Sequence, residues 1–533
     1  MRKNFKHIVF ALTVGSIMMI TTNSCKDAIY IEQDGILDED ALFVNVTNMN
    51  DYLIGSVYAN MDINNEIYLS AVISDEVKPG SGSGGQEFQL HRYFLDNSDG
   101  LTSGIWLNHY RLIDRVNRLL EGATKVQPSS SQQAQYNSII AQARAIRAFA
   151  YIQLESYFST DMTNPNALGV ILSTEVQSTL AQLPRSTNQQ VYDLINSDLD
   201  YARSVLAYSN VAANRFYVDR GFVNALSARF NLYRGNYVLA KQYAQDVLTN
   251  SGLILTLSTP ITGGSSGAFT NPTPPDTLPV SQTSAWNSAF YGIASSFNPY
   301  RNLWNDSARG EIIFALNRLP TGNGSSIGTR WNTNTSTVSG VPMWFLGRNL
   351  FNLINVQGDI RRYAYIDPTS TIDPNYLTST APINTDKLVI DKYPGKTSAA
   401  TRNDLKIFRL SEIYFILAEC AVQENNLSQA QTYITQVRAA RTYDGTLATP
   451  TYSTNQIALA DILKERRVEL ALEGHRYIDL KRLATKAGVT MDRNATDDII
   501  AVTNLPNNSY KYTLPIPLSE ISANPNCQQN PGY

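Results

Sequence analysis

Two stretches of this sequence share a pattern that strongly limits how the chain folds. In each, a small residue in an apolar run precedes a short polar turn, and an alanine follows twelve positions after that small residue. The pairs are Ala228 with Ala240 and Ala418 with Ala430. Small residues at this spacing let two antiparallel helices approach closely, as in tetratricopeptide repeats. The pattern predicts a scaffold of stacked helix pairs.

Further helices are predicted by the spacing of apolar residues and by capping residues. Apolar spacing predicts a helix over about 106–121 and a long alanine-rich helix over about 132–157. Another helix pair is expected over 221–248. Ser130 with Gln133 and Thr187 with Gln190 have the spacing of capping boxes. The second box is expected to open a helix over about 191–206.

The middle of the chain has a different composition. Residues 258–341 are rich in Gly, Ser, Thr, Asn and Pro, and residues 79–85 read Pro-Gly-Ser-Gly-Ser-Gly-Gly. Such stretches form loops, and long loops within a large domain are often functional. Residues 311–316 fit either a buried strand or a short helix, and the sequence does not choose between them.

The N-terminus has the pattern of an export signal. Arg2, Lys3 and Lys6 precede an apolar stretch over 8–20, which is shorter than the roughly 20 residues of a membrane-spanning helix. Ser24 and Cys25 follow directly, as in bacterial lipoproteins. We therefore expect cleavage before Cys25 and attachment of acyl chains such as palmitate to that residue, which would anchor the chain to a membrane. The alternative is an ordinary signal peptide with a chance cysteine.

Charge and cysteine content exclude several classes of protein. The whole chain carries a net charge of −3, and loss of the three cations of the signal would leave −6. No basic patch of the kind that binds nucleic acid is present. Cys420 and Cys527 are the only cysteines after Cys25, and both are expected to be free thiols rather than part of a disulfide scaffold.

Candidate ligand-binding residues are aromatic and polar side chains in the loops. Sugar rings stack on flat aromatic side chains, while their hydroxyls bond to short polar groups. Trp331, between Arg330 and Asn332, is the first choice, with chance packing as the alternative. Trp286 and Tyr291 come next, and Gln86, His91 and Arg92 beside the glycine-rich loop are weaker candidates. The apolar neighbours of the remaining tryptophans predict core positions for Trp106, Trp304 and Trp344.

Three glutamates at helical spacing invite a catalytic interpretation. Glu465, Glu469 and Glu473 stack on one helix face, and paired carboxylates catalyse glycoside hydrolysis when they flank a cleft. A structural network is favoured instead, because stacked like charges in a packed helix need cationic partners. Nearby candidates are Arg466, Arg467 and Arg476, and Arg409 or Arg482 are candidates through the fold.

No catalytic residue, cofactor or bound metal is expected. His91, His109 and His475 lack zinc-ligand spacing, and a packing role is favoured for His475. A structural Ca²⁺ built from scattered oxygens is left open.

Five segments together resemble the SusD/RagB family of outer-membrane nutrient-binding lipoproteins. The last two are the most specific. One runs from Glu465 to Arg482 and begins Glu-Arg-Arg, and the other is the end of the chain from Leu514-Pro515-Ile516-Pro517 to Tyr533. The other three run from Trp106 to Asn117, from Ala143 to Tyr151 and from Arg409 to Glu419. The chain departs from the family at 158–160, where a glycine is common, and its loops match no recognised glycan pattern.

The resemblance implies both a fold and a role. The implied fold is mainly α, with four tetratricopeptide-like helix pairs packed against a loop-rich second half with few strands. The expected divisions are a signal over 1–24, a helical part over 25–250 and a second part over 251–533, the last two forming one compact unit. The implied role is to bind a nutrient at the cell surface and deliver it to a SusC-like TonB-dependent transporter. Oligosaccharide is favoured over peptide, and a surface glycoside hydrolase is the less favoured alternative.

Overall fold

The computed structural model describes residues 42–80, 82–259, 284–292, 297–322, 324–331, 342–373, 375, 383–446, 449–500 and 504–533. Helices dominate these parts of the chain. The α-helices are Val46–Tyr52, Asn64–Ile73, Phe88–His91, Gly100–Ala123, Gln133–Phe158, Asn188–Val205, Arg220–Tyr233, Tyr237–Asn250, Ser284–Tyr291, Pro299–Trp304, Gly328–Trp331, Arg348–Ile354, Arg361–Ala364, Leu410–Gln423, Leu427–Arg441, Asn455–Glu469, Arg476–Ala487 and Leu518–Ala523. Single turns of 3-10 helix cover Tyr58–Asn60, Ala212–Phe216 and Tyr510–Tyr512, and a π-helix covers Leu53–Val57.

Four helix pairs form the scaffold. They join Gly100–Ala123 to Gln133–Phe158, Arg220–Tyr233 to Tyr237–Asn250, Leu410–Gln423 to Leu427–Arg441, and Asn455–Glu469 to Arg476–Ala487. The predicted helices over 106–121, 132–157, 191–206 and 221–248 are confirmed to within a few residues. The mainly helical fold inferred from the sequence is therefore confirmed.

The two repeated stretches fold alike. Ala228, Ala240, Ala418 and Ala430 are all fully buried where their helices cross. Seven residues after the first alanine of each pair, the turn adopts a left-handed backbone, at Gly235 (φ +78°) and at Asn425 (φ +58°). The next residue in each case is an asparagine whose side chain accepts a backbone N–H of the following helix, from Leu239 and from Gln429 respectively. The sequence pattern thus encodes the crossing and the turn together.

Of the two predicted capping boxes, one is confirmed. The Thr187 hydroxyl accepts the Gln190 backbone N–H, and the Gln190 side chain accepts the Thr187 N–H at 2.9 Å. The box at Ser130 is wrong, because the helix begins at Gln133 after Gln132, which makes no side-chain cap. Ser129 bonds to the Gln132 side chain instead, so the cap is replaced by a local turn.

Strands in the described residues form three small antiparallel sheets of two strands each. Val77–Pro79 (β1) pairs with Trp344–Leu346 (β5), Leu168–Ile171 (β2) with Arg185–Thr187 (β3), and Ile312–Leu316 (β4) with Leu405–Arg409 (β6). The open question at 311–316 is answered by β4, a fully buried strand. Strand β6 runs directly into the helix Leu410–Gln423 and so ties this sheet to the third helix pair.

A network of buried charges joins the second half of the chain to its helix pairs. Its centre is Glu469, whose carboxylate accepts from Arg361 at 3.1 Å, from Arg409 at 2.8 Å and from Arg441 at 2.8 Å. Arg409 and Arg441 also bind Glu311, at 2.7 Å and 2.9 Å. All five side chains are almost fully buried. Such charges are tolerated in an interior only because each has partners of opposite sign.

The neighbouring glutamates of the stack are paired in the same way. Glu465 accepts from Arg361 and Arg438, both at 2.7 Å. Glu473 accepts from Lys392 at 2.7 Å and Arg409 at 2.8 Å. The predicted Arg–Glu network is confirmed, with Arg409 as a member. These carboxylates are engaged in salt bridges within the core and do not line a cleft.

The other arginines considered as partners have different contacts. Arg466 binds Asp479 at 2.7 Å, and Arg482 binds Glu419 at 2.7 Å. Arg476 forms two 2.7 Å hydrogen bonds to Asp75, which follows the helix Asn64–Ile73. Arg467 lies 3.4 Å from the same carboxylate. The fourth helix pair is thereby tied to the N-terminal helices.

The network predicts a loss of stability in acid. Burial alone would raise the pKa of Glu473, but the charges of Arg409 and Lys392 outweigh it and hold the pKa at about 2. An unfolded Glu titrates near 4.3, so this contribution is present above that pH and is lost as the pH falls towards 2. We expect the free energy of unfolding to drop by about 2 kcal/mol from this residue across that interval, measured by urea denaturation at a series of pH values.

The matched variant is Glu473→Gln, which keeps the shape of the side chain but cannot ionise. It should start from a lower stability at neutral pH and lose less of it between pH 4.3 and 2 than the wild type. An equally steep fall in the variant would contradict the role of Glu473.

Candidate ligand-binding site

Several of the side chains predicted to bind ligand surround one cluster of aromatic rings. Tyr68, Phe88, Trp331 and Trp344 form this aromatic junction. The ring centroids of Tyr68 and Trp331 are 5.7 Å apart, and those of Phe88 and Trp344 are 6.3 Å apart. The Trp344 indole N–H donates to the Tyr68 hydroxyl at 2.7 Å and so joins the two ring pairs. The rings come from four separate segments, so the junction exists only in the folded chain.

The glycine-rich loop reaches the junction because of its backbone. Strand β1 pairs with β5, which carries Trp344, and the Gly80 N–H continues the contact by donating to the Met343 carbonyl at 2.8 Å. A Cβ at Gly80 would lie 2.3 Å from the Pro342 carbonyl oxygen, so only glycine fits there. Farther along, Gly85 adopts a left-handed backbone with φ +85°, and the chain turns into the helix Phe88–His91.

Polar side chains edge the junction. The Arg330 guanidinium lies 4.4 Å from the centre of the Tyr68 ring, a cation–π contact. Burial raises the pKa of the Glu87 carboxyl, while a hydrogen bond from Tyr68 and the charge of Arg330 act against that rise. Gln86 is exposed. A guanidinium and a carboxyl group therefore lie beside apolar rings, with an exposed amide two residues before Phe88 in the chain, an arrangement that suits a hydroxyl-rich ligand with apolar faces.

His91 and Arg92 occupy unequal positions. His91 is buried, its Nδ1 lies 2.9 Å from the Val72 carbonyl oxygen, and its ring centroid is 5.2 Å from that of Trp344. Burial and the nearby charge of Arg493 lower the pKa of His91 to about 3, so the ring is neutral. Arg92 is partly exposed. It donates two hydrogen bonds of 2.9 and 3.0 Å to Asp498, and its guanidinium packs on the ring of Phe88. His91 thus supports the junction from within, and Arg92 lies at its edge.

The expectation that Trp331 is an exposed loop aromatic is wrong. Its side chain is fully buried. Residues Gly328–Trp331 form a short helix that turns the indole against Tyr68. Gly328 allows this close fit, because a Cβ there would lie 2.9 Å from the Thr401 backbone. The neighbouring candidate Asn332 lies outside the described residues.

Trp286 and Tyr291 lie at a different place and are also not exposed loop aromatics. Trp286 is fully buried, with ring centroids 4.6 Å from Phe290 and 4.8 Å from Tyr363. The Tyr291 hydroxyl donates a hydrogen bond to the Tyr363 carbonyl at 3.0 Å, and burial raises the pKa of Tyr291. The short helix Ser284–Tyr291 packs its aromatic side inward. These residues build an aromatic core, and nothing in the described residues joins them to the junction.

The core positions expected for other residues are confirmed. Trp106, Trp304 and Trp344 are buried, and so is His475. Cys420 and Cys527 are both free and buried.

Tyr68 and Phe88 of the junction, and Glu87 at its edge, are residues that the sequence did not single out. Glu87 and Phe88 follow Gln86 directly, so their position beside the glycine-rich loop could have identified them as ligand-binding candidates. Tyr68 gave no such signal, because it lies within an apolar helix where an aromatic residue is ordinary core. Its role depends on partners more than 250 residues away.

Two further observations concern metal ions and membranes. No group of three or more His, Cys, Asp or Glu side chains suited to a metal ion occurs in the parts of the chain that the structure describes. Among the helices of those same parts, none combines the length and apolar character that a membrane crossing requires. The expected absence of a cofactor stays a prediction, and a structural Ca²⁺ stays an open question.

Two protein-family models match the chain. One, described as "SusD family", matches residues 326–533, and the other, described as "Starch-binding associating with outer membrane", matches residues 30–232. The matched regions contain both sides of the aromatic junction. The chain is also similar to SusD-like protein P2 of Formosa agariphila, at 22% identity over 97% of this chain and 98% of that protein.

Solved structures share the fold. A SusD superfamily protein from Bacteroides thetaiotaomicron matches with a TM-score of 0.70 and 24% identity, covering 92% of this chain and 100% of that one. A protein described as a putative sugar binding protein from Bacteroides vulgatus matches with a TM-score of 0.67 and 23% identity, covering 92% and 99%. At this identity the likeness establishes the fold.

The buried position of Trp331 has a measurable consequence. Replacing a buried tryptophan by alanine leaves a cavity, so Trp331→Ala should lower the free energy of unfolding by about 3–5 kcal/mol in urea denaturation. Trp331→Phe, which keeps a ring against Tyr68, should cost less. Val238→Ala is the control, because Val238 is 75% exposed and its truncation should change stability little. Unchanged stability of Trp331→Ala would show that the indole is not packed in solution.

Proposed function

The chain belongs to the SusD family, and we propose on that premise that it captures an oligosaccharide at the aromatic junction and delivers it to a SusC-like TonB-dependent transporter. The observation that carries the proposal is the junction itself, where a guanidinium lies against one of the apolar rings and the exposed Gln86 is two residues from Phe88. Association with the outer membrane is part of the description of one matching family model. The ligand class, the transporter and the anchor are proposals.

The chemistry of the junction favours a saccharide. Arg330 and Gln86 supply hydrogen-bond donors, and Gln86 also supplies an acceptor, so together they suit hydroxyl groups. The half-buried ring of Phe88 offers an apolar surface next to them. The description of one family model as starch-binding and of one structural relative as sugar binding supports the same class. Peptide capture by the same mechanism is the second candidate.

We propose binding without catalysis. Glycoside hydrolysis requires two carboxyl groups that flank a cleft at roughly 5–9.5 Å. The glutamate stack that suggested such a pair is engaged in salt bridges in the core, with Glu469 bound to three arginines. Glu87, at the edge of the junction, is hydrogen-bonded to Tyr68, and the charges of Arg330 and Asp99 both act on its carboxyl group, so it is not a free acid of a catalytic pair.

The proposed anchor is a lipid on Cys25, which lies outside the described residues. The sequence around it supports the proposal, with a basic start, an apolar stretch over 8–20 and a small residue before the cysteine. Several acyl chains on one residue would hold the protein at the membrane, since each buried CH₂ contributes about 0.8 kcal/mol.

Ligand capture is tested by replacing side chains whose loss should change thermal stability little. We expect full-length protein in detergent to bind one series of neutral oligosaccharides in isothermal titration calorimetry. Gln86→Ala and Arg330→Ala should each weaken this binding by about three- to tenfold with little change in thermal stability, because each removes hydrogen bonds worth about 1 kcal/mol. The matched controls are Gln242→Ala and Arg111→Ala, which alter exposed residues of the same types on other helices.

The result separates the alternatives. Equal affinity in all four variants would place the ligand elsewhere and overturn the junction as the site. Binding of peptides and of no saccharide would keep capture but replace the ligand class.

Anchoring is tested at Cys25. In a Gram-negative host grown with labelled palmitate, the wild-type protein should carry the label and sediment with outer membranes. Cys25→Ser should carry no label, because the acceptor thiol is gone. Cys527→Ser is the control, since that thiol is buried and free and is not an acceptor in the proposal. Label retained in Cys25→Ser would overturn the anchor.

A further inference from the structure

A groove lined by partly exposed aromatic side chains forms where three other segments of the chain meet. It has a volume of about 310 Å³ and is lined by Ile54 and Tyr58, by Phe216 and Tyr217, and by the chain from Leu316 to Thr321. These residues come from the π-helix and 3-10 turn after the first described helix, from the turn Ala212–Phe216 and from the end of β4. A volume of this size fits a small ligand or one part of a longer ligand.

Tyr217 forms an exposed wall of the groove. Its side chain is 47% exposed, and its hydroxyl group has no hydrogen bond among the described residues. Its ring lies edge-to-face with that of Tyr58, with centroids 5.8 Å apart and planes at 82°. Exposed aromatic side chains are common on protein surfaces, so exposure alone would mean little. Here the ring is held at a fixed angle and faces a cavity.

Tyr58 is the fixed partner in this pair. Its hydroxyl donates to the Gln142 side chain at 2.7 Å and accepts the Val218 backbone N–H at 2.7 Å. The second bond is to the residue that follows Tyr217. Tyr58 therefore holds both the ring and the backbone of Tyr217 in place, and the platform is formed before any ligand arrives.

The polar side of the groove is uncharged apart from one arginine. Asn317 and Thr321 are exposed, and the Asn317 side-chain amide has no partner among the described residues. Arg318 is buried, donates to the Met61 carbonyl at 3.1 Å and lies 3.3 Å from Asp62, which balances its charge. A groove with a flat ring, a free amide and no net charge suits a neutral, hydroxyl-rich ligand and gives an acidic ligand no added attraction.

The groove and the aromatic junction lie on one continuous stretch of the structure. The chain that leaves the groove is held at Asp62 by the Ser325 hydroxyl at 3.0 Å, and it then forms the helix Gly328–Trp331, which carries Arg330 to Tyr68. Asp62 lies two residues before the helix Asn64–Ile73, which carries Tyr68. The segment around Asp62 and the chain from Ser325 to Trp331 thus connect the two sites.

We propose that the groove at Tyr217 is a second saccharide subsite, which binds a further part of an oligosaccharide chain held at the junction. Tyr217 stacks on a sugar ring, and the Asn317 amide bonds to its hydroxyls. The inference rests on the proposed capture of oligosaccharides at the junction. Two subsites on one chain act together, since the second contact of a long ligand forms at high effective concentration. Short saccharides occupy the junction alone, and long ones gain from the groove.

The test compares ligand length with the site that is changed. Full-length protein in detergent is titrated with neutral oligosaccharides derived from starch, mannan, xylan and β-glucan, each as a disaccharide and as longer oligomers. Tyr217→Ala should weaken binding of the long oligomers about three- to tenfold and leave the disaccharide unaffected, because an aromatic platform is worth about 0.5–1.5 kcal/mol. Tyr217→Phe should keep most of the affinity, since the ring remains.

Tyr510→Ala is the matched control. Tyr510 is 45% exposed, close to the value for Tyr217, but it packs edge-to-face on Tyr533 at another place. Thermal stability is measured for each variant, so that a loss of binding is not confused with a loss of fold. Asn317→Ala gives a second, independent probe, because this exposed side chain makes no contact that the fold needs.

The outcomes separate this inference from the proposed function. Length-dependent loss in Tyr217→Ala together with loss in Arg330→Ala supports both. Loss in Arg330→Ala with full affinity in Tyr217→Ala overturns the subsite and leaves capture at the junction intact. Loss in Tyr217→Ala alone overturns the junction as the site and, with it, the role of the groove as a second subsite. No binding of any saccharide by the wild type, or binding of peptides that depends on Tyr217, overturns the saccharide subsite.

Discussion

The salt bridges around Glu469 impose the constraint on which the rest of the fold depends. Its partners Arg361, Arg409 and Arg441 come from a short helix, the end of a strand and the end of a scaffold helix. A charge taken out of water without its partners costs several kcal/mol. The network is therefore stable only when all these segments are in place at once, so it favours one arrangement of the second half over others. A packed apolar cluster would be less selective, because it tolerates shifts that a salt bridge does not.

Local patterns in the sequence predicted the scaffold well, and long-range partners decided the rest. The alanine pairs and the glutamate stack were readable because their spacing is set within one or two helices. Glu311 and Arg361 gave no such signal, since the residues that bind them within the network, such as Arg409 for Glu311 and Glu465 for Arg361, are more than 90 residues away in the chain. The Ser130 box failed for a related reason: the right residues were present, but the turn before the helix used Ser129 and Gln132 instead.

At the candidate site, too, local sequence patterns predicted some features and contacts between distant segments determined the others. Polar neighbours predicted that Trp331 is exposed, yet a turn of helix directs its indole to Tyr68, a residue from a distant helix. Sequence position alone could place Gln86, Arg92 and Arg330 near loops, and the structure places Arg92 against Phe88 and Arg330 against Tyr68. Sequence position could not show which aromatic rings are buried and which are exposed to a ligand. That distinction depends on packing between segments that are far apart in sequence.

The aromatic junction and the charge network are mechanically connected. Asp75 and Glu76 directly follow the helix Asn64–Ile73, which carries Tyr68. Asp75 binds Arg476, and the Glu76 side chain accepts the Leu472 backbone N–H at 2.9 Å. The Glu76 carbonyl accepts the Gly347 N–H at the end of β5, the strand that carries Trp344. The rings of the junction are thus fixed to the segment that contains Glu469 and Glu473. Side chains held in this way have little conformational freedom left to lose, so ordering them against a ligand would cost little free energy. The buried charges, costly in themselves, thereby help to fix the rings of the candidate site.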